Sequence, residues 1–139
     1  MPEIAKVNHR IWFGSNLPEH YQENLIALKE LNPDYELCLH SDPESMTGEE
    51  WGALTVFCEK NAITLLSVRE EKIPAKEHIL KELDDSRNSE LSIAKKRLAY
   101  VRASDITRMA VIYHYGGIYT DTDLFPKAGF GTLEAPEGF

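Results

Sequence analysis

The chain has 139 residues, with 15 Lys and Arg against 23 Asp and Glu, for a formal net charge of −8. A hydrophobic content of 42% beside 27% charged residues is that of a folded domain, and the length suits one domain. The acidic balance argues against non-specific nucleic-acid binding, which draws most of its affinity from neutralised phosphates.

Residues 7–14 (Val-Asn-His-Arg-Ile-Trp-Phe-Gly) open as a β-like run that stops at Gly14, and Gly14-Ser15-Asn16 is turn chemistry. Pro18 suits the first position of a helix, where its missing N–H costs nothing. Leu17, Tyr21, Leu25, Leu28 and Leu31 then recur at spacings of four, four, three and three, one face of a 3.6-residue period, until Asn32-Pro33-Asp34 ends it. Residues 35–40 read as a second strand. Strand, helix and strand joined by short turns point to a βαβ unit, and so to an α/β fold with a mainly parallel sheet.

A helix is expected over 49–60 and a short β-type run over 63–68. The stretch 69–97 holds eight Lys and Arg against seven Asp and Glu. It reads as a helical insertion (around 70–97) with solvated charged faces, broken in two by Asp84-Asp85-Ser86-Arg87-Asn88-Ser89. The next helix, 95–115, is expected to bury Leu98, Val101, Met109 and Ile112, and to end at Gly116-Gly117 through a left-handed residue. Residues 118–125 form the last predicted strand.

Two features carry chemistry. Asp105 falls on the stripe 98, 101, 105, 109, 112. A carboxylate facing a core is costly unless paired, and Arg102 and Arg108, three residues to either side, are the available cations. The pattern fits either a site opening at one end of the sheet or a buried ion pair that ties the helix down. In Asp121-Thr122-Asp123, residues i and i+2 of a strand share a face, which puts the two carboxylates about 7 Å apart. Such like charges call for a cation. Hard oxygen ligands suit Mg²⁺ or Mn²⁺ held by one or two carboxylates plus substrate phosphates. The tripeptide is expected at the carboxyl end of its strand, where open α/β sheets bind ligands.

Three stretches together resemble a family. They are His9-Arg10-Ile11-Trp12-Phe13-Gly14, Ala103-Ser104-Asp105-Ile106-Thr107-Arg108, and Tyr115-Gly116-Gly117-Ile118-Tyr119-Thr120-Asp121-Thr122-Asp123. They are similar to the signatures of DXD sugar-transferring glycosyltransferases, the group that includes the glucosyltransferase domains of large clostridial toxins and related bacterial effectors. The resemblance spans residues 6–125.

It implies a Rossmann-like GT-A fold, of which 1–139 would be the N-terminal donor-binding half. It also implies metal-dependent transfer, with retention, of a hexose or N-acetylhexosamine from a nucleotide sugar, usually a UDP-sugar, to a protein or glycan acceptor. Carried over by position, Ile11, Trp12 and Phe13 would line the base pocket, with Trp12 stacked on the base. Ser104 would touch the nucleotide, and Tyr119 would lie near the ribose. Asp105 would bind sugar hydroxyls, and Arg108 the sugar or phosphate. Asp121, with Thr122 beside it, would contact ribose and sugar, and Asp123 would bind the metal, Mn²⁺ or Mg²⁺, directly. Asp105, Arg108, Asp121 and Asp123 are the expected catalytic set. Family members carry a second half after this strand, so the 139 residues alone are expected to show little or no turnover.

Two other readings compete: a non-catalytic module that binds a nucleotide sugar or a partner, and a phosphatase with an aspartyl nucleophile in the DxD. His9 could face the pocket or serve as a hydrogen-bonding residue at a strand end. His20, His40, His78 and His114 have no zinc spacing. Cys38 and Cys58 read as buried, reduced thiols, consistent with a reducing site of folding. No apolar run approaches a membrane span. The amino end lacks a secretory signal pattern, which fits a cytoplasmic protein or one exported as an effector by another route.

Overall fold

The structure, a computed structural model, describes residues 3–123, 126, 129 and 130. Its elements run β1 (Val7–Trp12), α1 (Glu19–Leu31), β2 (Glu36–Ser41), α2 (Gly48–Lys60), β3 (Thr64–Ser67), α3 (Lys76–Ser86), α4 (Ile93–Tyr115) and β4 (Ile118–Tyr119). The four strands form one sheet in the order β3-β2-β1-β4, every pairing parallel. The α/β expectation and its opening βαβ unit therefore hold.

Local chemistry sets the element ends. The Thr47 hydroxyl accepts from the Glu50 backbone N–H and the Glu50 carboxylate accepts from that of Thr47, a capping box that starts α2. Ser92 accepts from the Lys95 N–H at the start of α4. Gly116 and Gly117, at φ +72° and +84°, turn the chain from α4 into β4. A Cβ on Gly117 would collide with the Val7 carbonyl, so only glycine lets β4 lie this close to β1.

The sheet is covered on both faces. Leu25 and Leu28 of α1 and Leu54 and Cys58 of α2 pack on Leu37 and Leu39 of β2. On the other face Ile79 and Leu83 of α3 and Ala103, Ala110 and Val111 of α4 pack with Ile11 and Phe13. The charge-dense stretch thus contributes α3 to the core as well as charges to the surface. Cys38 and Cys58 are buried and free, and burial pushes both thiols up to about 12.

The expected stripe of α4 is corrected. Leu98 and Val101 are exposed, Met109 is 72% exposed, and Ile112 is only half-buried. The buried stripe is Ala99, Ala103, Thr107, Ala110 and Val111. Small side chains let this helix sit close on the sheet, and the larger apolar groups are left outside.

The strand order reverses between β1 and β4. β1 leads to β2 and β3 on one side, and the chain then crosses to the other side for β4. In open parallel sheets the crevice outside the carboxyl ends at such a reversal is where ligands bind.

Candidate functional site

A cleft of about 320 Å³ lies at that reversal, lined by Ile11, Trp12, Phe13, Tyr21, Ser104, Tyr119, Asp121, Thr122 and Asp123. Residues from the end of β1, the middle of α4 and the end of β4 meet there although they are about a hundred positions apart in the chain.

Trp12 is held from several sides. Its carbonyl accepts from Ser41 Oγ at 2.5 Å, its indole Nε1 donates to the Ser15 carbonyl at 2.9 Å, and Tyr21 meets its ring edge-on at 5.5 Å. Gly14, at φ +139°, turns the chain immediately beyond it, a conformation L side chains rarely adopt.

The acidic segment differs from the expected strand. β4 ends at Tyr119, and Asp121 leads into a turn at Thr122 and Asp123; Leu124 and Phe125, also read as strand, lie outside the described residues. Thr122 fixes the turn. It is buried, its hydroxyl donates to the Ile11 carbonyl at 2.6 Å, and its own carbonyl accepts from Arg10 at 3.1 Å and Asn24 at 3.3 Å. With the central residue drawn inward, Asp121 and Asp123 are both exposed at the cleft. They do share a side, but through a pinned turn rather than a pleat.

Beneath this turn lies Arg10, which is 1% exposed. Its Nε donates to Thr120 Oγ1 at 2.9 Å. Burial pulls the guanidinium down to about 10, opposed by Tyr119, Asp123 and Asp121, so it stays cationic at neutral pH under the two carboxylates. Burial, then the Asp121 carboxylate, pushes the Tyr119 phenol up to about 12.

Ser104 reaches the cleft from α4, but Asp105 and Arg108 are not among its lining residues. Asp105 is not buried as the sequence pattern implied. Its side chain is 61% exposed and pairs with Arg108 at 3.6 Å. Arg102 pairs instead with Glu82 at 2.9 Å. Arg108 is nonetheless at the rim, its guanidinium carbon 5.6 Å from the centre of the Tyr119 ring.

Asp121 and Asp123 are the carboxylates of the cleft, and among the described residues no group of three or more His, Cys, Asp and Glu could hold a metal. Two exposed carboxylates fit a hard, oxygen-loving cation that takes its remaining ligands from water and a phosphate. His9 is buried in the sheet and does not line the cleft.

Sequence reasoning missed Tyr21, Arg10 and Asn24. Tyr21 was hidden in the apolar stripe of α1. Arg10 left a signal, a charged residue inside a strand, but its partners lie about 110 residues away.

Residues 18–137 match the family described as glycosyltransferase sugar-binding region containing DXD motif. The chain is 32% identical over 139 residues to a "Toxin" of Photorhabdus asymbiotica, covering 97% of this chain and 4% of that protein. It is 28% identical over 138 residues to "Subversion of eukaryotic traffic protein A" of Legionella pneumophila, covering 99% and 20%. To "Toxin Afp18" of Yersinia ruckeri the identity is 31%, covering 97% and 6%. Among solved structures, "PaToxG Glycosyltransferase" matches with a TM-score of 0.75 at 25% identity, over 99% of this chain and 48% of that one. The chain therefore spans about half of that solved domain and a small part of each relative. The match bears out the GT-A expectation.

Proposed function

The chain belongs to the DXD-containing glycosyltransferase family, and on that footing we propose that residues 1–139 form the donor-binding half of a metal-dependent, retaining transferase acting in a bacterial toxin or effector. The donor is a nucleotide sugar, a UDP-hexose or UDP-N-acetylhexosamine, and the acceptor a protein or glycan. One observation carries the reading: an aromatic strand end and two exposed carboxylates face one cleft at the sheet's reversal.

In this reading the Trp12 indole, fixed by Ser15 and Tyr21, offers its flat face to the base, with Ile11 and Phe13 beside it. Ser104 and Tyr119 contact the nucleoside. Asp121, with Thr122 beside it, orients ribose and sugar, and Asp123 takes the cation. A divalent cation, Mn²⁺ or Mg²⁺, supplies positive charge against the pyrophosphate of the departing nucleoside diphosphate. Arg108, at the rim, adds charge on the same side, and Asp105 grips sugar hydroxyls and sets the anomeric carbon. Arg10 holds the Thr120 hydroxyl and the Thr122 carbonyl so that the carboxylates need not rearrange as the ligand arrives.

The test is thermal melting with UDP and UDP-sugars, with and without Mn²⁺. Nucleotide should raise the melting temperature only when metal is present, and Asp123→Ala should abolish the rise. A rise that needs no metal, or that survives in Asp123→Ala, refutes the assignment.

A further inference from the structure

On the sheet face away from Arg10, a polar chain crosses the core. The Gly116 carbonyl lies 2.9 Å from His9 Nε2. His9 Nδ1 lies 2.9 Å from His40 Nε2, and His40 Nδ1 lies 3.0 Å from Glu71 Oε2. The Tyr115 hydroxyl donates to Glu71 Oε1 at 2.8 Å. Both histidines are fully buried and Glu71 is 7% exposed.

Hydrogen counting constrains this chain. A carbonyl only accepts, so His9 Nε2 carries a hydrogen. The contact between the rings needs one hydrogen, and the contact between His40 and Glu71 needs another. Three contacts need three hydrogens, and two neutral imidazoles supply two. The third is an additional proton, carried either as a His40 imidazolium against a Glu71 carboxylate or as a neutral Glu71 acid. In both forms the buried group is neutral overall. Without that proton lone pairs would face each other at one of the two His40 contacts, to His9 at 2.9 Å or to Glu71 at 3.0 Å, and a net negative charge would be buried.

We infer that His9, His40 and Glu71 are positioning residues that share one titratable proton, and that this proton fixes the Gly116–Gly117 turn from which β4 carries Asp121 and Asp123 to the cleft. Burial holds the His9 imidazole below its ordinary range, which keeps the shared proton toward His40 and Glu71. The outer end meets solvent, because Glu71 and Tyr115 line a surface cleft with Glu70 and Lys72. The other ionisable groups facing the chain are Glu36 and Cys38 from β2 and His114, whose ring packs 4.6 Å from that of Tyr115.

By this count the folded state binds one proton more than the unfolded chain, whose histidines are neutral above pH ~6.5. The folding equilibrium constant should therefore fall about tenfold per pH unit from pH 7 to 8.5. Glu71→Gln removes the need for the extra proton. Its amide N–H₂ donates to His40 Nδ1, His40 Nε2–H to His9, His9 Nε2–H to Gly116, and Tyr115 to the amide oxygen. Urea unfolding of this variant should show no such fall. The cysteines add a loss at higher pH in both proteins alike. Parallel profiles from pH 7 to 8.5 would overturn the inference.

If Glu71→Gln does not fold, ring ¹⁵N spectra of the wild type at pH 7.5 decide. They should show hydrogen on His9 Nε2 and His40 Nε2, together with either hydrogen on His40 Nδ1 or, from the side-chain carboxyl ¹³C signal, a protonated Glu71; lone pairs on both His9 Nδ1 and His40 Nε2, or a lone pair on His40 Nδ1 beside an ionised Glu71, refute the count. The link to the cleft rests on the donor-site reading. There Glu71→Ala should weaken UDP–Mg²⁺ binding tenfold or more and Glu71→Gln should restore it. Equal affinity in all three proteins overturns the positioning role. Failure of the wild type to bind UDP–Mg²⁺ refutes the donor site instead, and leaves the pH slope to judge the proton.

Discussion

On the strand side of the cleft, Thr122 is buried and tied to Ile11, Arg10 and Asn24. On the helix side, Asp105 and Arg108 are 61% and 46% exposed and meet each other at 3.6 Å. The strand side gives up folding energy for geometry: a guanidinium is buried to hold, with a buried threonine, the turn that carries two carboxylates. The helix side gives up almost none, and its two charged groups can reorient when a ligand supplies something to grip. A change on the strand side should register first in stability, and one on the helix side first in binding.

Arg10→Met is the harshest way to test that division. It removes hydrogen bonds from a charged donor, among them those to Thr120 and Thr122, and it also removes the cost of burying a guanidinium. The net loss should be about 2–4 kcal/mol, read as a lower urea midpoint, with the metal-dependent nucleotide shift reduced in step. An unchanged midpoint would mean that the turn does not depend on its buried cation. Thr122→Val is milder. It keeps the shape but leaves the Ile11 carbonyl without its donor, for a loss of about 1–3 kcal/mol. If its midpoint falls while the nucleotide shift keeps its full size, the turn is not what aims the carboxylates.

The legible parts of the sequence were those whose signal is local. β1, α1 and β2 followed from a β run, a leucine period and turn residues at the expected places. The two aspartates stood out because like charges on one side of a strand call for a cation, and Trp12 because its stretch resembles a signature of the family. α4 misled because apolar periodicity gives weight to large side chains, whereas this helix packs in the core beside β1 through Ala103, Ala110 and Val111. The pinned turn was illegible for a different reason. Arg10 and Thr120 are 110 residues apart, and only the sheet order makes them neighbours. The same holds for His9 and Gly116, 107 residues apart, whose bond no local pattern announces.

Arg108→Ala should have the smallest structural effect and so draws the contrast most sharply. The residue gives up a solvent-screened pair with Asp105 and a place over the Tyr119 ring. Exposed ion pairs contribute little, so unfolding free energy should move by no more than about 0.5 kcal/mol. Affinity for a UDP-sugar with Mn²⁺ should fall roughly fivefold to tenfold, about 1–1.4 kcal/mol, and the fall should be larger for the sugar nucleotide than for uridine, which carries no phosphate. Titration calorimetry with the two ligands separates these outcomes. Equal losses for both would place Arg108 at the nucleoside, behind Tyr119. A stability loss above about 1 kcal/mol with binding intact would make it part of the scaffold, and the helix side would then serve the fold no less than the strand side does.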